Sequence, residues 1–406
     1  MMKKSSIMGM FTFFFLSIAF SINAQFKVVG YLYNWSNFTS NANNVDYTKV
    51  THVAIAFINP DANGNLGPVT SLSTVVGIVH DNNAKVLASL GGANATSDWL
   101  TLVDPDHRTA FIAKIVSFIN TYNLDGIDVD LEASNIDYNY NDFILALKAA
   151  MPQGKTLSVA IARSYGDALS DECVAAFDFI NVMSYDQCGT WSNPCQHSSF
   201  AYANSDILYW TVTRKVAKEK VILGLPSYGY RWESSNSNPS YKQIVTEFPR
   251  AANQDSIRTP TNGIIYHNGI PTIKQKTALA MEKAGGVMWW ALPFDFASSD
   301  SRSLLKAMDE IIHPNNLTNP INTGDLLVFP NPFSNKVALQ FSTVYSGNLN
   351  ITLSDLSGKT IVTLFNRDQT AGAFNQSFTL DFLSAGMYLC KITSSDQTTT
   401  IKVLKD

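Results

Sequence analysis

The segment Asp125-Gly126-Ile127-Asp128-Val129-Asp130-Leu131-Glu132 sets acidic side chains two residues apart among apolar ones. In an extended chain, residues two apart share a face. Asp128, Asp130 and Glu132 therefore line one side of a strand, and Ile127, Val129 and Leu131 line the other. Carboxyls stacked at about 7 Å intervals against a packed interior cannot all ionise easily. They must share protons, and at least one must hold its proton above the usual carboxylate range. A carboxyl kept protonated near neutrality is a general acid. A calcium loop would place its glycine after three alternating acids, whereas Gly126 precedes Asp128. A metal-binding strand end usually adds histidine, and none of the six histidines forms a strand-end triad with these acids. No metal is expected here.

Eight β-branched runs carry the pattern forward: Lys27–Tyr33, Val50–Ile58, Ala84–Leu90, Gly126–Leu131, Thr156–Ile161, Phe177–Met183, Lys220–Leu225 and Gly286–Ala291. Helical periodicity falls between several of them, over Arg108–Tyr122, Tyr140–Ala150, Ile207–Glu219 and Thr272–Lys283. Strands apolar on both faces and alternating with helices make a parallel sheet. A doubly wound sheet uses the same units, but eight repeats favour a (β/α)8 barrel. Glu132 then falls at the C-terminal end of the fourth strand, where barrel enzymes keep their chemistry. The gap from Tyr230 to Gly285 is longer than one crossover helix needs and predicts a small insertion.

The chain has 406 residues, more than one hydrophobic core normally serves. With 46% hydrophobic and 15% charged residues it is neither disordered nor fibrous. Its net charge of -4 offers no basic excess for nucleic acid. Lys3 and Lys4, the apolar run Ile7–Ile22 and Asn23-Ala24-Gln25 read as a secretory signal over residues 1–24. The run falls short of the roughly 20 residues that span a bilayer. In an oxidising compartment Cys188 and Cys195 are positioned to bridge; zinc would need further ligands, of which only His197 is near. Cys173 and Cys390 are expected to be unpaired and buried. The barrel is assigned to residues 25–313 and a linker to 314–325, around Pro314-Asn315-Asn316-Leu317-Thr318-Asn319-Pro320. Residues 326–406 alternate as short strands, among them Lys336–Phe341, Asn348–Leu353, Lys359–Leu364, Ser377–Leu383 and Met387–Ile392, and predict a small all-β sandwich.

The Asp125–Glu132 strand resembles the active-site strand of glycoside hydrolase family 18, the chitinase family. Ser89-Leu90-Gly91-Gly92, Met183-Ser184-Tyr185-Asp186, Gly224-Leu225-Pro226-Ser227-Tyr228-Gly229 and Gly286-Val287-Met288-Trp289-Trp290 resemble the motifs of its third, sixth, seventh and eighth strands, in the right order. The resemblance implies hydrolysis of β-1,4 bonds between N-acetylglucosamine units with retention, in chitin or related glycans, without a cofactor. Family 18 is substrate-assisted, so the sugar's own acetamido oxygen replaces an enzyme nucleophile. Glu132 is implied as the acid, Asp130 as the partner of the acetamido N–H, Asp128 as the group sharing a proton with Asp130, and Tyr185 as a donor to the acetamido oxygen. Asp186 is implied on the sugar or leaving side and Trp290 as the hydrophobic floor. Tyr31 and Phe57 are implied in the pocket wall, and Gly91, Gly92, Met183 and Tyr228 in substrate binding. Trp35, Trp191 and Trp232 lie in strand-end loops where they stack either on sugars or on the loops themselves. Trp289 should face outward into the core. Arg231 departs from the family's spacing, since Tyr230 intervenes after Tyr228-Gly229. Tyr241–Val245 and Ile264–Ile273 resemble reduced remnants of the family's α+β insertion, which implies a shallow cleft and endo-type or distributive cleavage.

Val328-Phe329-Pro330-Asn331-Pro332-Phe333, Leu353-Ser354-Asp355-Leu356-Ser357-Gly358-Lys359 and Leu383-Ser384-Ala385-Gly386-Met387-Tyr388 resemble the type A sorting domain of the type IX secretion system of Bacteroidetes. That resemblance implies the type IX machinery as a partner, and a secreted or surface-held, monomeric enzyme. Two other functions share the same barrel: an endo-β-N-acetylglucosaminidase acting on N-glycan cores, and a chitinase-like lectin. Lectins of this kind usually lack the acid, and Glu132 is present.

Overall fold

The computed structural model describes residues 25–314 and 326–406, except 94, 97, 133, 134, 344–346, 371, 395 and 396. The expected signal over 1–24 and the expected linker beyond Pro314 lie outside the described residues. Seven strands arise first: β1 (Lys27–Tyr33), β2 (His52–Ala56), β3 (Lys85–Gly91), β4 (Gly126–Asp130), β5 (Thr156–Ile161), β6 (Phe179–Val182) and β7 (Val221–Pro226). Three short strands follow, β8 (Tyr230–Trp232), β9 (Ser256–Arg258) and β10 (Ile264–Tyr266), and then β11 (Gly286–Trp290). β1 to β7 and β11 close a parallel barrel in the order β1-β11-β7-β6-β5-β4-β3-β2.

Strand alternation divides the barrel's apolar residues into two sets. Ile127, Val129 and Leu131 point out and join one cluster with the surrounding helices, which also holds the fully buried Trp289. The helix Arg108–Thr121 enters that cluster through Phe111, Ile112, Ile115, Phe118 and Ile119, a stripe at helical spacing. The second cluster fills the lumen and includes Val29, Leu87, Phe179, Ile222 and Met288. Register then sets the polar layer above it: Asp128 stands beside Ser89 on β3 and Ser158 on β5.

The helix expected over Ile207–Glu219 lies further toward the N-terminus, at Phe200–Leu208, and widens into a π turn at Tyr209–Thr213. Ser199 caps its start by accepting Tyr202 N–H at 3.1 Å. The apolar period persists beyond the helix because Tyr209, Trp210 and Val216 remain buried. The Thr211 hydroxyl turns back to the Ile207 carbonyl at 2.7 Å, a bond that tends to bend helices, and Lys215 ends the segment with φ 54°.

The insertion is an antiparallel sheet in the order β8-β10-β9 with one helix, Tyr241–Glu247. The stretch Ile264–Ile273 is therefore two things: β10 of the insertion, and the first turn of the barrel helix Ile270–Lys283.

Among the described residues the C-terminal domain has seven strands: β12 (Leu327–Phe329), β13 (Lys336–Thr343), β14 (Gly347–Ser354), β15 (Thr360–Gln369), β16 (Gly372–Thr379), β17 (Gly386–Ser394) and β18 (Gln397–Lys405). They form two antiparallel sheets, β12-β13-β16 and β15-β14-β17-β18, whose core includes Phe333, Phe341, Ile351, Phe374, Tyr388 and Ile392. The strand expected at Ser377–Leu383 is displaced to β16. Leu380 and Leu383 are buried from the turn after it, where Leu380 N–H bonds to the Asn335 carbonyl at 2.7 Å.

Candidate active site

The site is built from the innermost acid outward. Asp128 is fully buried and accepts four hydrogen bonds. Oδ2 takes Tyr31 Oη at 2.7 Å and Ser89 Oγ at 2.8 Å; Oδ1 takes Ser158 Oγ at 2.6 Å and Asn181 Nδ2 at 3.1 Å. Four donors from β1, β3, β5 and β6 suit an ionised carboxylate, which is acceptor-only. Burial pushes Asp128 up, and these donors pull it back.

Asp130 is the opposite case. It is buried at the end of β4, and its Oδ1 has no hydrogen-bond partner among the described residues. Burial first, then the charges of Glu132 and Asp128, hold it well above the carboxylate range. Burial raises both acids, and hydrogen-bond donors offset it at Asp128. Glu132 lies just past the end of β4 and is partly exposed. Burial and then the nearby charge of Asp186 raise its proton affinity, the condition for a general acid.

Asp128, Asp130 and Glu132 thus lead from the barrel interior toward a cleft of about 580 Å³, which the last two line. Asp130, Glu132, Gly91, Met183, Tyr185, Asp186 and Tyr228 line it, with Phe57 and Trp290 as apolar surface. Trp290 stacks on Phe57 with ring centroids 5.5 Å apart. Tyr185 points its hydroxyl at Met288 Sδ, 3.6 Å away, and burial followed by Asp130 keeps that hydroxyl protonated. Asp186, at φ 60°, accepts the hydroxyls of Tyr228 and Tyr230 on one oxygen.

The two glycines expected in substrate binding divide. Gly91 lines the cleft, and a Cβ there would lie 2.2 Å from the Asp130 carbonyl. Gly92, with φ +85°, lies beneath Phe57, whose ring a Cβ would meet at 2.5 Å. Tyr31 is likewise below the cleft, almost fully buried, with its hydroxyl spent on Asp128. Strand alternation turns it into the lumen one layer too deep for the wall. Trp35 lines the cleft and is 59% exposed, stacked flat on Tyr33 at 4.6 Å. Trp191 is 67% exposed, with its ring edge-on to Tyr230 at 5.4 Å. Trp232 is buried, and its indole N–H binds the Ser192 carbonyl at 3.0 Å, so it packs the loop. Arg231 turns from the cleft to pair with Glu247. Cys188 and Cys195 are bonded as a disulfide that closes the loop carrying Trp191, while Cys173 and Cys390 are free and buried.

Several residues of the site were not singled out by sequence. Ser158 and Asn181 are lone polar residues at inward positions of otherwise apolar strands, a signal the pattern did carry. Asn59 clamps Gly91 from both sides, with Nδ2 to the carbonyl at 2.8 Å and Oδ1 from the N–H at 3.0 Å. Asn238 and Phe294 reach the cleft from distant loops. His197 is fully buried with Nδ1 3.4 Å from Asp186 Oδ1, and burial keeps the imidazole neutral.

Comparison with known proteins matches this geometry to a family. The model of glycosyl hydrolases family 18 matches residues 27–295, and that of a secretion system C-terminal sorting domain matches residues 327–406. The structure of a family 18 chitinase from the chitin utilization locus of Flavobacterium johnsoniae is similar at 32% identity and TM-score 0.67, covering 72% of this chain and 95% of that one. A chitinase from Bacteroides thetaiotaomicron is similar at 27% identity and TM-score 0.65, covering 73% and 99%. A chitinase-like effector of Moniliophthora roreri is 26% identical over 280 residues, 60% of this chain and 69% of its own length. The acidic strand β4, the cleft above it and these matches together establish that the chain belongs to glycosyl hydrolases family 18 and carries a C-terminal sorting domain for secretion or cell-surface display.

Proposed function

We propose that this glycoside hydrolase cleaves β-1,4 bonds between N-acetylglucosamine units of chitin, with Glu132 as the acid. The observation that carries the assignment is the pairing of two acids at one strand end. Glu132 is partly exposed with raised proton affinity, and Asp130, two residues earlier, is raised too and has a buried oxygen without a hydrogen-bond partner among the described residues. Glu132 gives its proton to the glycosidic oxygen as the C1–O bond breaks. The acetamido oxygen of the same sugar bonds to C1 and forms the oxazolinium, as in the substrate-assisted family mechanism. Asp130 supplies the acceptor for the acetamido N–H, and Tyr185 donates to the acetamido oxygen. Water then attacks C1 as the C1–acetamido oxygen bond breaks and the acetamide is restored, and the Glu132 carboxylate takes the proton of the water. Trp290 and Phe57 form the apolar floor under the reacting sugar. Asp128 ionises first and keeps the proton on Asp130. Trp35 and Trp191 are sugar platforms toward the two ends of the cleft.

The small β8-β10-β9 insertion supports a shallow, open cleft and endo-type or distributive cleavage. Products from long chains that were dimer alone from the first seconds would refute that mode. For domain organisation we infer a cleaved signal at 1–24, a catalytic barrel at 25–313, a linker at 314–325 and a sorting domain at 326–406. The signal carries the chain to the periplasm, and the sorting domain then addresses it to the type IX machinery.

The deciding experiment incubates the full chain and Glu132→Gln with chitin oligomers and with a high-mannose glycoprotein, and follows products by mass spectrometry. Oligomer cleavage lost in the variant supports the proposal. Release of intact N-glycan with chitin untouched replaces it with an endo-β-N-acetylglucosaminidase. Binding of oligomers without turnover in either form replaces it with a lectin.

A further inference from the structure

Behind the cleft, outside the acidic strand, lies a lysine in an unusual setting. Lys276, on the barrel helix Ile270–Lys283, is 0% exposed. Its ammonium has three donors, and all are used: on the Ser198 carbonyl, the Ser198 hydroxyl and Asn268 Oδ1, each at 2.7 Å. It forms no ion pair within 4.0 Å among the described residues; burial lowers its pKa to about 7, and Asp255 and Asp206 offset this only through space. An ammonium buried without a carboxylate destabilises a fold. Such departures gather where the structure serves a site.

The contacts say which site. Ser198 passes the bond on, its hydroxyl donating to the Ser184 carbonyl at 2.7 Å. Ser184 directly precedes Tyr185 and Asp186. The residue before Ser198 is His197, whose ring touches Asp186 and lies between Tyr228 and Tyr230 at centroid distances of 5.2 and 5.1 Å. The His197 carbonyl accepts Gln187 N–H at 3.1 Å, on the other side of Asp186. Asp186 itself sits in the left-handed region, with φ 60°, which a side-chain-bearing residue leaves unless neighbours hold it.

We propose that Lys276 is a positioning residue for Tyr185 and Asp186: through Ser198 it fixes the chain after β6 so that both side chains face the cleft. The proposal rests on the reading of Tyr185 and Asp186 as groups that touch substrate. Lys276 itself touches none.

The test uses the full chain and a soluble chitin oligomer, with kcat and KM measured for Lys276→Met, Ser198→Ala, Asp186→Asn and Lys276→Met combined with Asp186→Asn, and with thermal unfolding followed alongside. Lys276→Met should lower kcat by about tenfold to a hundredfold, the scale of a small misplacement of a reacting group, with KM changed far less. Ser198→Ala should show a weaker loss of the same kind, and it carries the test if Lys276→Met does not fold. The double variant should lose less than the product of the two single losses, because part of the Lys276 effect runs through Asp186. Multiplying losses, or a kcat unaltered while only the melting temperature moves, would overturn the proposal. A full-rate Asp186→Asn would instead sink the reading of Asp186, and the two failures are thereby told apart.

Discussion

The Tyr31 hydroxyl donates to Asp128 Oδ2 at 2.7 Å, reaching across the barrel interior from β1 to β4. β1 and β4 are not neighbours in the sheet, so this bond exists only because the barrel closes. It offsets part of the rise that burial imposes on Asp128, and the charge of Asp128 adds to burial and Glu132 in raising Asp130. Tyr31→Phe removes one of the four donors and leaves a buried carboxylate lone pair unmet, at a cost of roughly 1–3 kcal/mol. Urea unfolding should register that loss. Kinetics should register a lower kcat with little change in KM, since Tyr31 lies beneath the cleft. A rise in KM alone would return Tyr31 to the wall.

Glu132 and Asp186 are linked by charge. Burial and then Asp186 raise the proton affinity of Glu132. The acid must be protonated to act, so activity declines on the alkaline side as Glu132 ionises. Asp186→Asn removes the negative charge and should move that limb of the kcat/KM profile to lower pH. An unmoved limb would mean that Asp186 does not act on Glu132 electrostatically.

Asp206 gives a stability prediction of defined sign. It is fully buried, neither oxygen has a hydrogen-bond partner among the described residues, Arg163 Nη1 stands 3.9 Å from Oδ1, and burial raises it from 3.8 to about 6. Between those values the folded chain holds a proton that the unfolded chain has released. Stability therefore falls as pH rises through that window and levels off above it. Asp206→Asn should be more stable than the parent by roughly 2–3 kcal/mol above pH 6 at most, and near parity at pH 4. Melting curves at both pH values decide it; a constant offset would refute the ionisation argument.

The Cys188–Cys195 bridge closes a short loop that holds Trp191 and accepts the Trp232 indole N–H. Replacing both cysteines with serine should cost about 2–3 kcal/mol by the loop-closure relation for so short a loop. If Trp191 is a sugar platform, KM should rise for long oligomers and stay level for short ones, with kcat preserved. Equal changes for both lengths would confine the bridge to stability.

Much of the catalytic layer could be read from the chain because a strand writes its two faces into alternate positions. Ile127, Val129 and Leu131 declared the helix-facing side of β4, and Asp128 and Asp130 the inner side. Gly91-Gly92, Tyr185-Asp186, Tyr228 and Trp290 fall at the ends of the third, sixth, seventh and eighth barrel strands, which the family resemblance assigned to one end of a barrel. Trp289 followed from the same alternation. What misled was burial: Tyr31 shares the strand-end address of the cleft residues but is buried on Asp128, and Gly92 is covered by the Phe57 ring. Helix limits near Tyr209 were obscured because apolar spacing continued where hydrogen bonding had changed to a π turn.

The acids, their alternation, the two cysteines in one short loop and the change to an all-strand C-terminal segment are local properties. Sequence alone therefore determined the family, the reaction and the acidic strand. How strongly each carboxyl holds a proton is a tertiary decision, because Tyr31, Ser89, Ser158 and Asn181 converge on Asp128 from four strands while Asp130 Oδ1 has no partner among the described residues. The same holds for Asn59 at Gly91, His197 at Asp186 and Lys276 behind Ser198. Each is a single polar residue with no periodicity to announce it, and its effect arises only from short distances across burial, where charge and unmet hydrogen bonds are felt most strongly.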